Sequence, residues 1–173
     1  MGVQRGRPLM PGYGIDEGED GLLEWDMVLG RLRDSHNYWL VTVRPDGRPH
    51  AMPVWGVWLD GAMWWSSSVR SRKIRNLRAN PACTMTTEDG RSPVILDGAA
   101  EIVTDGAAIR AFLEATNLKY DAGLDIGFLE PSVNATVRVA PREIFALEEA
   151  RFVQSPTKFT LDGRANPTTK PGG

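Results

Sequence analysis

A chain of 173 residues with 42% hydrophobic and 24% charged side chains has the length and balance of one globular domain with a real core. Its formal net charge of -2 argues against a dedicated nucleic-acid binder, which is basic throughout, and its single cysteine, Cys83, excludes an internal disulfide framework. No apolar run approaches the roughly 18 residues that span a bilayer, and the opening MGVQRGRPLMPGYG lacks the apolar centre of a secretory signal, so a cytoplasmic protein is expected.

Residues 1–20 are rich in glycine, proline and charge and read as an arm, flexible or draped over a neighbour. Over 22–35, Leu22, Trp25, Leu29 and Leu32 recur at helical spacing. Aromatic and β-branched YWLVTV (38–43) predicts a strand, and RPDGRP supplies a turn. HAMPVWGVWL (50–59) and AMWWSSS (62–68) flank Asp60-Gly61, a strong hairpin signal. Pro53 makes the first of these runs an edge or a bulge, and Gly56 would let a ligand approach the backbone. Of Trp55, Trp58, Trp64 and Trp65, two are expected to be core and no more.

A short helix over 71–79 is stopped by Asn80-Pro81. ACTMTT (82–87) and SPVILDGAAEIVT (92–104) form a second hairpin, with a bulge expected at Gly98. Residues 105–120 read as a helix with Ile109, Phe112 and Leu113 on one side, and 134–147 and 151–161 return to strand. The expected architecture is mainly β (α+β): a barrel, rather than an open sheet, of six to seven antiparallel strands with flanking helices over 21–161. The tail 162–173 is expected to lack structure.

Several chemistries are missing. Two histidines and one cysteine provide no ordinary structural zinc site, so no metal is expected. There is no Gly-x-Ser-x-Gly elbow and no phosphate loop, and Gly12, Gly14 and Gly18 miss the dinucleotide fingerprint. His50 reads as polar surface, and Asp97 with Glu101 as a solvated pair on one strand. No catalytic acid or base is assigned. Tyr38 is one conceivable proton source.

The informative stretch is SSSVRSRKIRNL (66–77). Between Asp60 and Glu88 there is no acid, yet there are five cations: Arg70, Arg72, Lys73, Arg75 and Arg78. If a strand ends at the serines and a helix begins at Arg72, hydroxyls, free backbone N–H groups and two cations converge where a phosphate fits. Ser66, Ser67 and Ser71 can donate, Arg72 as a fork and Lys73 as a point charge. Each charge-assisted hydrogen bond contributes about 1.5–3 kcal/mol, enough for three or four to hold a phosphorylated cofactor.

LVTVRPDGRPHAMPVWGVWLDGAMWWSSSVRSRKIRNLRANPAC resembles the flavin/deazaflavin oxidoreductases of the pyridoxamine 5'-phosphate oxidase-like superfamily. The resemblance is carried by Asp46-Gly47-x-Pro49, Pro53-Val54-Trp55, the serines at 66–68, Ser71-Arg72-Lys73, Asn76-Leu77 and Asn80-Pro81. It extends over about 38–161 and implies a split-barrel homodimer with cofactor sites at the subunit interface. By position it implies that Arg72 and Lys73 hold the phosphate. Ser66, Ser67 and Ser68 stand at the strand end beside it, and the strand containing Pro53, Val54 and Trp55 meets the ring system.

The resemblance also implies a departure from vitamin B6 oxidation. Leu147 stands near the place of a late tryptophan, and Ser155-Pro156-Thr157-Lys158 runs where an arginine–histidine substrate pair belongs. The closer likeness is to the actinobacterial branch that uses the deazaflavin coenzyme F-420, whose acidic tail would suit Arg70, Arg75 and Arg78. FMN is the alternative cofactor. The implied chemistry is hydride transfer to a small electron-poor substrate. The rival readings are a protein that binds a cofactor or haem-like ligand without turnover, and a basic helix that binds nucleic acid with steep salt dependence.

Overall fold

The computed structural model describes residues 2–161; the tail at 162–173 lies outside them. The protein is an α+β fold of mostly antiparallel sheet that does not close, a split barrel. Nine strands are present among the described residues: β1 (Val3–Gly6), β2 (Tyr38–Val43), β3 (Pro49–Val54), β4 (Val57–Leu59), β5 (Ala62–Ser68), β6 (Ala82–Thr87), β7 (Val94–Val103), β8 (Asn134–Ala146) and β9 (Thr157–Leu161). Three helices flank them: α1 (Trp25–Asp34), α2 (Arg72–Ala79) and α3 (Gly106–Tyr120). The main path is β1-β9-β8-β7-β6-β2-β3, with β5 on β8 and β4 on β5. Two strands exceed the sequence expectation. One is β1, drawn from the arm and paired with β9; the other arises because the run at 50–59 breaks at Trp55-Gly56.

β8 explains the split. Its first half pairs with β5 and its last residues pair with β9, while β7 runs along the other side throughout. At the changeover, Asp97 faces Glu143 and Gly98 faces Pro141, so Arg142 is the extra residue. The bulge expected at Gly98 is therefore carried by the opposite strand. Gly98 is required there because a Cβ would lie 2.4 Å from the Ala140 carbonyl oxygen.

Strand alternation divides the interior. Trp65, Met63 and their partners Val137 and Val139 join the main core with Leu40, Ile74, Leu96, Ile144 and Phe159. Trp64 turns the other way and packs with Val57, Ile109, Phe112 and Leu129 in a second cluster under α3. The Asp60-Gly61 turn has positive φ at both residues (49° and 72°), the geometry that lets β4 and β5 pair directly.

Helix boundaries differ from the periodicity in one place. α1 begins at Trp25 and buries Val28 and Leu32. Leu22 and Leu23 precede it as buried, non-helical chain, the Leu23 N–H donating to Thr157 Oγ1 at 2.8 Å. Residues 151–156 likewise stay outside β9. Asp105 caps α3 at the Ala108 N–H (2.8 Å).

Candidate functional site

The chain leaves β5 through a tight turn. The Ser71 N–H donates to the Ser68 carbonyl (2.9 Å), the Arg70 N–H to Ser68 Oγ (3.3 Å), and Ser71 Oγ caps the Ile74 N–H (3.4 Å). α2 then buries Ile74, Asn76 and Leu77 and leaves Arg72, Arg75 and Arg78 exposed, with Lys73 partly covered. Asn76 seats the helix: its Nδ2 donates to Thr42 Oγ1 on β2 at 2.9 Å, both residues being buried.

Thr42 pairs with His50 across the β2–β3 ladder, which puts His50 on the α2 side of the sheet. Burial lowers the His50 pKa, and the charges of Arg44, Arg72 and Lys73 push it the same way. Burial also lowers Lys73. Four basic side chains thus act on one spot. Arg44 Nε and His50 Nδ1 are buried there with no hydrogen-bond partner among the described residues. No described carboxylate forms an ion pair with Arg44, Arg70, Arg72, Lys73, Arg75 or Arg78. Such a donor set fits a phosphate.

A second region lies beneath α3. Gly56 follows the end of β3, and a Cβ there would come within 3.1 Å of the Tyr38 ring and of Met63, and 3.3 Å of the Trp64 carbonyl. Close internal packing is by itself enough to require this glycine. Its N–H donates to Tyr120 Oη (2.9 Å) and its carbonyl accepts from Lys119 Nζ (2.9 Å). Lys119 Nζ also donates to Tyr38 Oη (2.7 Å) and lies 4.7 Å from the Tyr38 ring centroid. Burial lowers Lys119 to about 8 against the opposing charges of Asp34 and Glu88, and burial pushes the Tyr38 phenol upward. Tyr120 stacks on Trp55 (4.4 Å, 5°), and the His36 ring meets both edge-on. Between this cluster and α3 is a cavity of about 400 Å³ walled by Trp55, Gly56, Ser66, Phe112, Thr116, Leu124 and Phe128.

The eight residues singled out by sequence therefore divide. Arg72 and Lys73 stand in the basic corner. Ser67, opposite Ala135, lies on the main-core face. Trp55 and Ser66 line the cavity, and Ser68 forms the turn. Pro53 is exposed on edge strand β3 opposite Trp39, whereas Val54 turns inward opposite Tyr38. The three serines do not converge. Trp64 and Trp65 are core, while Trp58 packs edge-on against Trp25.

Arg44 and His50 escaped sequence reasoning because the basic run was counted along the chain, whereas the β2–β3 hairpin delivers these two from the side. The signal available was their position at the two ends of RPDGRPH. Leu124 and Phe128 had no signal. Among the described residues there is no cluster of three or more metal-ligating side chains, and no helix is long and apolar enough to cross a membrane.

No curated protein matches the chain. Among solved structures, an F420 reductase is 28% identical with a TM-score of 0.56, covering 66% of this chain and 93% of that one. The conserved hypothetical protein Rv2991 of Mycobacterium tuberculosis is 23% identical (TM-score 0.67; 78% and 90% covered). HutZ, a haem storage protein of Vibrio cholerae, is 19% identical (TM-score 0.62; 70% and 93% covered). The last two show likeness of fold. The pattern of the pyridoxamine 5'-phosphate oxidase family matches residues 26–151, most of the chain and both regions described above, and the protein belongs to that family.

Proposed function

We propose that the protein is an oxidoreductase dependent on deazaflavin coenzyme F-420, transferring a hydride to a small electron-poor organic substrate. The observation that carries this reading is the carboxylate-free corner of Arg44, His50, Arg72 and Lys73, with buried donors left for an anion. Arg70, Arg75 and Arg78 extend positive charge beyond one phosphate, which suits a cofactor with a longer acidic tail. The 28% identical F420 reductase supports the same choice.

The positions of the B6 substrate residues are given over to structure. Ser155 and Thr157 are buried; Ser155 Oγ accepts the Glu148 N–H (2.8 Å), Thr157 Oγ1 the Leu23 N–H, and Lys158 pairs with Glu143 at 3.4 Å.

In this reading Arg72, Lys73, Arg44 and His50 hold the phosphate, Ser67 faces it from the strand end, and residues 53–56 carry the ring. The bound coenzyme supplies the hydride. The chain binds, orients and excludes water. Lys119 and Tyr120 fix the Gly56 peptide and so the shape of that strand. The outward apolar surface of β2 and β3, with Trp39 and Pro53 exposed, supports a homodimer.

Fluorescence titration with coenzyme F-420 and FMN side by side tests the assignment. The deazaflavin is expected to bind more tightly. Arg72→Ala with Lys73→Ala is expected to weaken it at least about 100-fold, from two charge-assisted hydrogen bonds at about 1.5–3 kcal/mol each. Unchanged affinity in the double variant refutes the phosphate site, and tighter FMN binding selects the flavin instead. Sedimentation is expected to show a dimer at micromolar concentration.

A further inference from the structure

The cavity under α3 differs chemically from the corner that would hold the cofactor. Its volume of about 400 Å³ suits a small organic molecule. Trp55, Phe112, Leu124 and Phe128 make its walls apolar, and no lining residue is charged. The nearest ammonium, Lys119, is already committed to Tyr38 Oη and the Gly56 carbonyl. Thr116 spends its hydroxyl on the Phe112 carbonyl at 2.8 Å, and the Gly56 N–H and carbonyl are both taken. Ser66 is therefore the wall's hydroxyl for a ligand. Directly across the β5–β8 ladder, Thr136 Oγ1 is buried without a partner among the described residues, so the same spot holds a second unspent hydroxyl.

The walls are also fixed in place. Asn117 donates to the Leu124 carbonyl and accepts from the Leu124 N–H, each at 2.8 Å, tying the loop after α3 to the helix. Trp55 is held by its stack on Tyr120 and is 47% exposed, so one side of the cavity opens where the strand at 53–56 ends. A carboxylate or phosphate entering here would lose its water and meet no counter-charge. A flat neutral ring would bury its faces against aromatic walls.

We propose that this cavity seats the hydride acceptor, and that the acceptor is a neutral, flat, apolar carbonyl compound whose oxygen accepts a hydrogen bond from Ser66. The assignment of a redox role rests on the function proposed above. Hydride from the reduced coenzyme together with one proton from solvent reduces such a compound by two electrons, and the coenzyme is left oxidised. The binding preference belongs to the cavity alone and holds without the coenzyme.

Calorimetric titration of the full chain, free of cofactor, with 2-acetylnaphthalene and with 2-naphthoate separates the two. These probes share a ring system and differ in charge. The ketone is expected to bind at least tenfold more tightly than the carboxylate. Ser66→Ala is expected to weaken the ketone a few-fold to about tenfold, the worth of one neutral hydrogen bond. Leu124→Trp, which fills the cavity, should abolish ketone binding. Phe128→Asp, at a half-exposed position that spares the core, should do the same if Leu124→Trp does not fold. Arg72→Ala with Lys73→Ala should leave ketone binding unchanged. Failure of the ketone to bind, equal binding of the carboxylate, indifference to both cavity variants, or loss in the arginine–lysine variant each overturns the proposal. Ketone binding that persists while deazaflavin titration fails overturns the cofactor reading and leaves the cavity assignment standing.

Discussion

The basic corner at α2 and the aromatic cavity beneath α3 leave their polar groups in different states. Around the cavity, Lys119 and Tyr120 satisfy the Gly56 peptide, and Thr116 donates to the Phe112 carbonyl. In that region only the hydroxyls of Ser66 and Thr136 are left unspent among the described residues. At the corner, Arg44 Nε and His50 Nδ1 are buried without partners among the described residues, and two further cations, Arg72 and Lys73, crowd them. The corner has the donor surplus of a site completed by an anion. Period-two alternation makes this economical: Ser66 and Ser67 are neighbours in sequence and serve opposite faces.

The largest test of this contrast is in stability. Phe112→Ala removes a buried ring packed on Trp64 (6.3 Å) and should lower unfolding free energy by about 3–5 kcal/mol in denaturant titration. Arg44→Ala should not destabilise comparably, because it removes a half-buried cation with no ion-pair partner among the described residues; a loss equal to that of Phe112→Ala would break the comparison.

Next, millimolar inorganic phosphate should raise the melting temperature of the wild type by a few degrees and that of Arg44→Ala by less. This protection should grow as pH falls below 6.5. His50 is held below that ordinary value in the free protein, so it binds its proton together with the anion. Protection independent of pH and of Arg44 would remove both residues from the site.

The smallest effect concerns the clasp on Gly56. Lys119 titrates near 8 when folded and near 10.5 when unfolded, so between those values the unfolded chain carries more protons and stability rises with pH. Tyr38, raised above its ordinary 10, opposes this at higher pH because the folded chain then keeps its proton longer. Denaturant midpoints from pH 7 to 10 should show the rise, and Lys119→Met should flatten it.

Much of the fold is legible locally. Asp60-Gly61 dictates a hairpin, Ser71 and Pro81 bracket α2, and Asp105 starts α3. The corner is half legible, since Arg72 and Lys73 stand in a run without acids while Arg44 and His50 arrive only when β2, β3 and α2 assemble. Leu22 and Trp25 match helical spacing, yet the hydrogen bond from Leu23 to Thr157, 134 residues away, keeps the chain out of the helix until Trp25. The arm shows the same limit: Arg7 donates to the carbonyls of Gly18, Asp20 and Pro156, contacts no local pattern encodes. Pairing of Val3–Gly6 with β9 follows from those anchors.

The shared strand β8 has a consequence for how the molecule comes into being. A nascent chain that has emerged only as far as residue 133 exposes the unpaired margins of both β5 and β7, because their common partner has yet to be synthesised. Such a chain is adhesive. Folding must wait until β8 has been synthesised, and the slow, non-local zippering it then requires makes this the stage at which a chaperone would matter most.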